Sequence, residues 1–193
     1  MQPEPQVAKS RLLFLDFDGV MVAGGSRGQQ NAYWKSGAGY RHDAFGSPWH
    51  PEAVGALDFI VASVPNLEIV ISASDRVMGL DYQRARFAHR CYPGNIVGIT
   101  DPQYFEHRVR GSQIQAYLHA LGAYYPVRDW NVPYYDEYRQ KCPVASYCIL
   151  DDDSDMLLGQ AKHFVQCNAQ IGLTLAKAER VVRILNRDKI FGV

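Results

Sequence analysis

The chain has 193 residues, enough for one domain with a real hydrophobic core. Its 20 Lys plus Arg balance 20 Asp plus Glu, which gives no support to a protein that grips nucleic acid through bulk positive charge. The 47% hydrophobic content is ordinary for a globular protein, and no run approaches the ~18 apolar residues of a membrane-spanning helix.

Residues 1–10, MQPEPQVAKS, are polar and Pro-containing, lack the apolar run of a signal peptide, and are expected to be disordered. The stretch RLLFL at 11–15 is a short apolar run ending at Asp16. Residues 23–48 are rich in Gly and polar residues and read as an inserted loop. A helix follows over 51–63, with Pro51 at its first position and Val54, Leu57, Ile60 and Val61 on one face. LEIVI at 67–71 ends at Ser72, and the Arg84, Arg86 and Arg90 that follow read as a solvated helix face. NIVGI at 95–99 ends at Thr100, and 111–121 repeats apolar residues with helical spacing. Residues 122–145, with three prolines and many aromatics, form a second insertion. YCILDDD reaches Asp151, HFVQC covers 163–167, and Thr174 is a good N-cap for a helix over 174–186.

Short β-branched runs without polar alternation suit strands buried on both faces. Alternating with helices, they predict an α/β domain over 11–193, Rossmann-like, with three layers, a mostly parallel sheet and no large cap. The four cysteines (Cys91, Cys142, Cys148, Cys167) form no CxxC pair and read as reduced thiols of a cytoplasmic protein. The six histidines show no ligand spacing and read as surface or satisfied core residues.

In open α/β sheets ligands bind beyond the carboxyl ends of the strands, which here carry Asp16, Ser72, Thr100 and Asp151–Asp153. Asp16 and Asp18 lie two apart in DFDGV, with Gly19 allowing a tight reversal. If the strand continues they share a face; if it turns at Asp18 they converge on one ligand. Converging carboxylates repel unless a cation neutralises them, and an oxygen-only set suits Mg²⁺ better than Zn²⁺. A lone DxD after a strand is weak evidence. The ordered set of four strand ends is stronger.

RLLFLDFDGVMV, IVIS and CILDDDSDM resemble motifs I, II and IV of the haloacid-dehalogenase superfamily. The stretches LDFDGV, ISASDR, RGSQI, LDDDSDM and IGLT are most similar to haloacid-dehalogenase-like domains associated with multidomain RNA-repair proteins, over roughly residues 11–186. The resemblance implies a Mg²⁺-dependent phosphatase acting on a phosphorylated substrate, with nucleotide or nucleic-acid-end phosphate as the substrate class. It implies Asp16 as nucleophile, Asp18 as general acid and then base, and Ser72, Ala73 and Arg110 as phosphate-binding residues. It further implies that Asp16, the carbonyl of Asp18, and Asp152 hold the metal, with Asp151 supporting that ligand and Asp155 reaching it through water.

Three features depart from the family pattern. Motif III usually supplies Lys; here RGSQI offers Arg110, with Lys141 as a rival. The family's Trp before the motif II Arg is Asp75, which either repels substrate or pairs with Arg76. The 122–145 insertion is long, and its Tyr124, Tyr125, Trp130, Tyr134, Tyr135 and Tyr138 either stack a nucleobase or pack their own loop. Ser74 is an alternative to Ser72 as phosphate ligand. The competing function is a binding module of the same fold that recognises a phosphorylated partner without turnover, and two intact acids in motif I argue against it.

Overall fold

The computed structural model describes residues 9–23, 44–46, 49–101, 109–122 and 143–187. Five strands lie within them: β1 (Ser10–Leu15), β2 (Leu67–Ile71), β3 (Ile96–Ile99), β4 (Val144–Asp151) and β5 (Phe164–Gln166). They form one sheet in the order β3-β2-β1-β4-β5, and every pairing is parallel. Four α-helices accompany them: α1 (Pro51–Ser63), α2 (Leu80–His89), α3 (Arg110–Ala120) and α4 (Leu175–Leu185).

Successive side chains of a strand face opposite sides of the sheet. On β1, Leu13 and Leu15 join one core with Leu57 and Ile60 of α1, Phe87 of α2 and Val181 and Leu185 of α4. Leu12 and Phe14 join the other, with Ile114 and Leu118 of α3. The sheet is therefore the middle of three layers, as the unalternated apolar runs require. Two of the helix starts follow elementary rules. Pro51 occupies the first turn of α1, where its missing N–H costs nothing. The Thr174 hydroxyl accepts from the Lys177 N–H at 3.4 Å at the start of α4.

Several boundaries differ from the sequence reading. β1 begins at Ser10, and β4 at Val144, so the end of the 122–145 stretch belongs to the sheet. A five-residue 3₁₀ turn, Ser74–Met78, and α2 fill the interval after motif II. The expected solvated arginine face is corrected at Arg86, which is buried. Its guanidinium lies 4.7 Å from the Phe17 ring centroid and ion-pairs with Asp75. A half-buried carboxylate and an aromatic face together outweigh the hydration that helix spacing alone predicts for an arginine. Most of both insertions, including the aromatic group of the second, lies outside the described residues. No described helix is long and apolar enough to cross a membrane.

His163 tests the packing of the sheet edge. Its ring stacks on Tyr147 with centroids 4.0 Å apart, and its Nδ1 lies 3.1 Å from the Tyr147 carbonyl, which as an acceptor places the proton on Nδ1. Burial pushes its pKa from 6.5 down to about 4. The folded state thus binds this proton less readily than the unfolded chain, so stability is present above the unfolded pKa and is lost as pH falls. Urea unfolding should show a loss of up to about 3 kcal/mol between pH ~6.5 and ~4, and His163→Phe should flatten that slope. An unchanged slope in the variant would refute the assignment.

Candidate active site

Register brings the strand-end residues together. Leu15 pairs with both Ile71 and Leu150, and Ile71 pairs with Ile99. The next residue of each strand therefore stands at the same level: Thr100, Ser72, Asp16 and Asp151 across the sheet. Main-chain bonds continue the ladder one step further, with the Asp16 N–H donating to Leu150 O and the Ser72 N–H to Leu15 O, each at 3.0 Å.

After Asp16 the chain turns instead of continuing as a strand. The Phe17 carbonyl accepts from the N–H groups of Val20, Met21 and Val22, and the Gly19 N–H donates to Val22 O at 2.8 Å. Gly19 has φ +74, and a Cβ there would lie 2.3 Å from Asp152 Cγ. Glycine is thus required twice, for the left-handed backbone and for the approach of the Asp152 carboxylate. The GLT segment braces the turn from outside. Leu173 donates its N–H to Val20 O at 2.8 Å, and a Cβ on Gly172 would meet that same oxygen at 2.7 Å.

Asp16 and Asp151 are buried and Asp152 half-buried, and one carboxylate oxygen from each lies within 4.8 Å of the others. Three oxygen donors at that spacing can hold a metal ion. The exposed Asp18 side chain lies outside this group. Burial holds both Asp16 and Asp151 above the usual carboxylate range, with Arg110 opposing the rise at each. For Asp151 the charge of Asp16 adds to it.

Arg110 is the cation that meets them. Its Nη1 donates to Asp16 Oδ1 at 2.6 Å and to the Ser72 carbonyl at 2.9 Å, and lies 3.1 Å from Asp151 Oδ2. Burial alone would lower its pKa, but Asp16, Asp151 and Asp155 more than offset this and leave it above its ordinary value. Both sides of the pair are thus pushed up. The acids rise because one guanidinium does not compensate the desolvation of two buried carboxylates. Among the described residues Asp16, Asp151 and Asp152 outnumber the guanidinium that meets them, and a divalent cation would relieve this. Lys141, the rival to Arg110, lies outside the described residues.

The hydroxyl of Ser72 is fully buried and has no hydrogen-bond partner among the described residues. A buried orphan donor at a strand end is open to a ligand oxygen. Ala73 beside it is buried and Ser74 is exposed. Asp155 takes a position that spacing did not suggest. Its Oδ2 accepts from the Arg110 N–H at 2.7 Å and its carbonyl from the Gly111 N–H at 3.2 Å, so it caps the start of α3. Asp75 pairs with Arg86, not Arg76, and also accepts from Gln83 Nε2 on its carbonyl at 2.9 Å.

Gln113 was not singled out from the sequence, and Arg76 was named only as a candidate partner of Asp75. Arg76 is 1% exposed, and its Nη1 donates to the carbonyls of Ser72 at 3.1 Å and Ala73 at 2.8 Å. Its Nη2 donates to Gln113 Oε1 at 2.7 Å. Gln113 stands three residues after Arg110, on the same helix face, and that spacing was the available signal.

A three-layer domain with an Asp, a hydroxyl and an acidic pair at the ends of β1, β2 and β4, and a cation at the start of α3, is the arrangement of the haloacid-dehalogenase class. The chain matches the family of the HAD domain in Swiss Army Knife RNA repair proteins over residues 12–178, and it belongs to that family. Comparisons with curated proteins and with solved structures find no match.

Metal binding by the acidic group is open to direct measurement. A divalent cation at about 100 times its Kd should stabilise the fold by roughly 2–3 kcal/mol, read as a rise in Tm. Asp152→Asn should abolish that rise and, with one fewer crowded charge, make the metal-free protein more stable by about 1 kcal/mol. Asp18→Asn should keep most of the rise, because its carboxylate lies outside the group. The reverse ranking of these two variants would sink the assignment.

Proposed function

We propose that the protein is a magnesium-dependent phosphomonoester hydrolase that works through an aspartyl-phosphate on Asp16. The observation that carries this reading is the convergence of Asp16, Ser72, Arg110, Asp151 and Asp152 at one edge of the sheet. The family's description as a domain of RNA repair proteins supports nucleotide or nucleic-acid-end phosphate as the substrate class.

Arg110 opposes the effect of burial on Asp16 and ties it to the motif II loop through the Ser72 carbonyl. The Asp16 carboxylate attacks phosphorus, the bond to the leaving oxygen breaks, and Asp18 gives its proton to the departing alcohol. Asp18 suits this role because its side chain is exposed at the turn that follows Asp16. The same carboxylate then takes a proton from water, whose oxygen attacks phosphorus and releases Asp16 and inorganic phosphate. Ser72 Oγ and the N–H of Ala73 are the donors for the phosphoryl oxygens. Mg²⁺, held by Asp16, the carbonyl of Asp18 and Asp152 with Asp151 behind, would supply the positive charge that these acids lack.

Turnover of a generic aryl phosphate with Mg²⁺ separates this reading from that of a binding module. Asp16→Asn should lower kcat by at least ~10³ with the fold intact, since an amide cannot form the acyl phosphate. Arg110→Ala should lower kcat/KM by ~10²–10³. An Asp16→Asn protein that keeps a tenth or more of the rate, or a wild type without turnover, rejects the hydrolase. A screen across nucleotides, phosphorylated oligonucleotide ends and sugar phosphates then identifies the substrate class.

A further inference from the structure

Arg76 is among the largest fully buried side chains of the described protein. Burying a guanidinium is costly, and such a group persists where its donors are used. Here they are used on the motif II loop. The Ser72 carbonyl accepts from Arg76 at 3.1 Å and from Arg110 at 2.9 Å, so two cations share one oxygen. Burial and the charge of Arg110 both press Arg76 towards its neutral form, while Asp16, Asp101 and Asp75 act the other way. Arginine alone among side chains stays charged in such a place.

The peptide bond is planar and trans, so each carbonyl points opposite to the N–H of the next residue. Drawing the carbonyls of Ser72 and Ala73 onto Arg76 turns the N–H groups of Ala73 and Ser74 the other way. A carbonyl bound to a charged donor also polarises its own peptide, which makes those N–H groups better anion donors.

We propose that Arg76 is a second, buried cation of the phosphate site, acting through the Ser72 and Ala73 peptides without touching the substrate. This deepens the hydrolase reading and rests on it. Bound phosphate relieves the repulsion between Arg76 and Arg110, so the two guanidiniums and the anion stabilise one another. Gln113 on α3 offers Arg76 a neutral acceptor and joins the loop to the helix that carries Arg110.

Gln113 permits a test that separates charge from scaffolding. Gln113→Glu keeps the acceptor and the shape but sets a negative charge against Arg76. Gln113→Leu removes the strap and leaves the charge as it is. Binding of inorganic phosphate in Mg²⁺ is followed by ³¹P NMR titration, with Tm measured beside it. Gln113→Glu is expected to raise the phosphate Kd about tenfold without lowering Tm, whereas Gln113→Leu lowers Tm and moves the Kd by less than about threefold. A merely structural Arg76 would be served as well by a glutamate acceptor as by the native glutamine. Wild-type affinity in Gln113→Glu, equal weakening in both variants, or a wild type that binds no phosphate overturns the proposal. A wild type that binds phosphate but does not turn over an aryl phosphate rejects the hydrolase instead.

Discussion

Everything at the carboxyl edge of this sheet depends on the crowding of Asp16, Asp151 and Asp152 against a single guanidinium. Parallel strands in register deliver the first two acids to the same level, and neither can move away without breaking the ladder behind it. Two desolvated carboxylates beside each other are an unfavourable arrangement, tolerable only with positive charge at hand. Arg110 supplies part of it, through one nitrogen that faces Asp16, Asp151 and the Ser72 carbonyl together. The local geometry follows from keeping that nitrogen in place.

The start of α3 shows how this is done. Asp155 caps the helix through the main-chain N–H of Arg110, so a residue of motif IV fixes the backbone of the cation that faces motif IV. A Cβ on the next residue, Gly111, would lie 2.5 Å from Leu157 N, so only glycine allows the helix to start this close to that loop. Arg76 and Gln113 close the circuit from the other side, tying motif II to the same helix. Each tie has an ionised partner and is worth about 1.5–3 kcal/mol net. Their common effect is to remove freedom from one guanidinium, and preorganisation of that kind is the main source of electrostatic rate enhancement.

How far the sequence discloses this varies with the physics involved. The strands around Asp16, Ser72 and Asp151 were legible because burial on both faces leaves unbroken apolar runs. Helices α1 and α4 were legible from Pro51, Thr174 and apolar spacing. The helix after motif II was foreseen only as a solvated arginine face, wrongly at Arg86, because LDYQRARFAH carries few apolar residues and is held by Arg86 and Gln83 beside Phe87. Local periodicity cannot see a buried polar network, since the partners are distant in sequence: Arg76 with Gln113, Asp155 with Arg110. The acids of the metal group were visible as a set. That Asp155 would also cap a helix was not, because that depends on where α3 begins in space.

Asp75 shows the same rule working against a first impression. A carboxylate next to a loop proposed to bind phosphate should repel substrate, and the charge of Asp18 does raise the pKa of Asp75. The structure pairs that half-buried charge. Arg86 pairs with Asp75, and the same guanidinium lies over Phe17 and within 5.5 Å of the Trp49 ring centroid. Trp49 in turn stacks flat on Tyr92 at 4.1 Å and packs on Phe87. An acid, a cation and an aromatic wall thus replace the single tryptophan that the family pattern carries at this point. The replacement is polar in composition but close to neutral in charge, and it leaves the field at the phosphate loop to Arg110 and Arg76. Arg110 and Arg76 share the Ser72 carbonyl while Arg86 faces the acid, so the loop flanked by Asp16, Asp18 and Asp75 keeps two guanidiniums beside it.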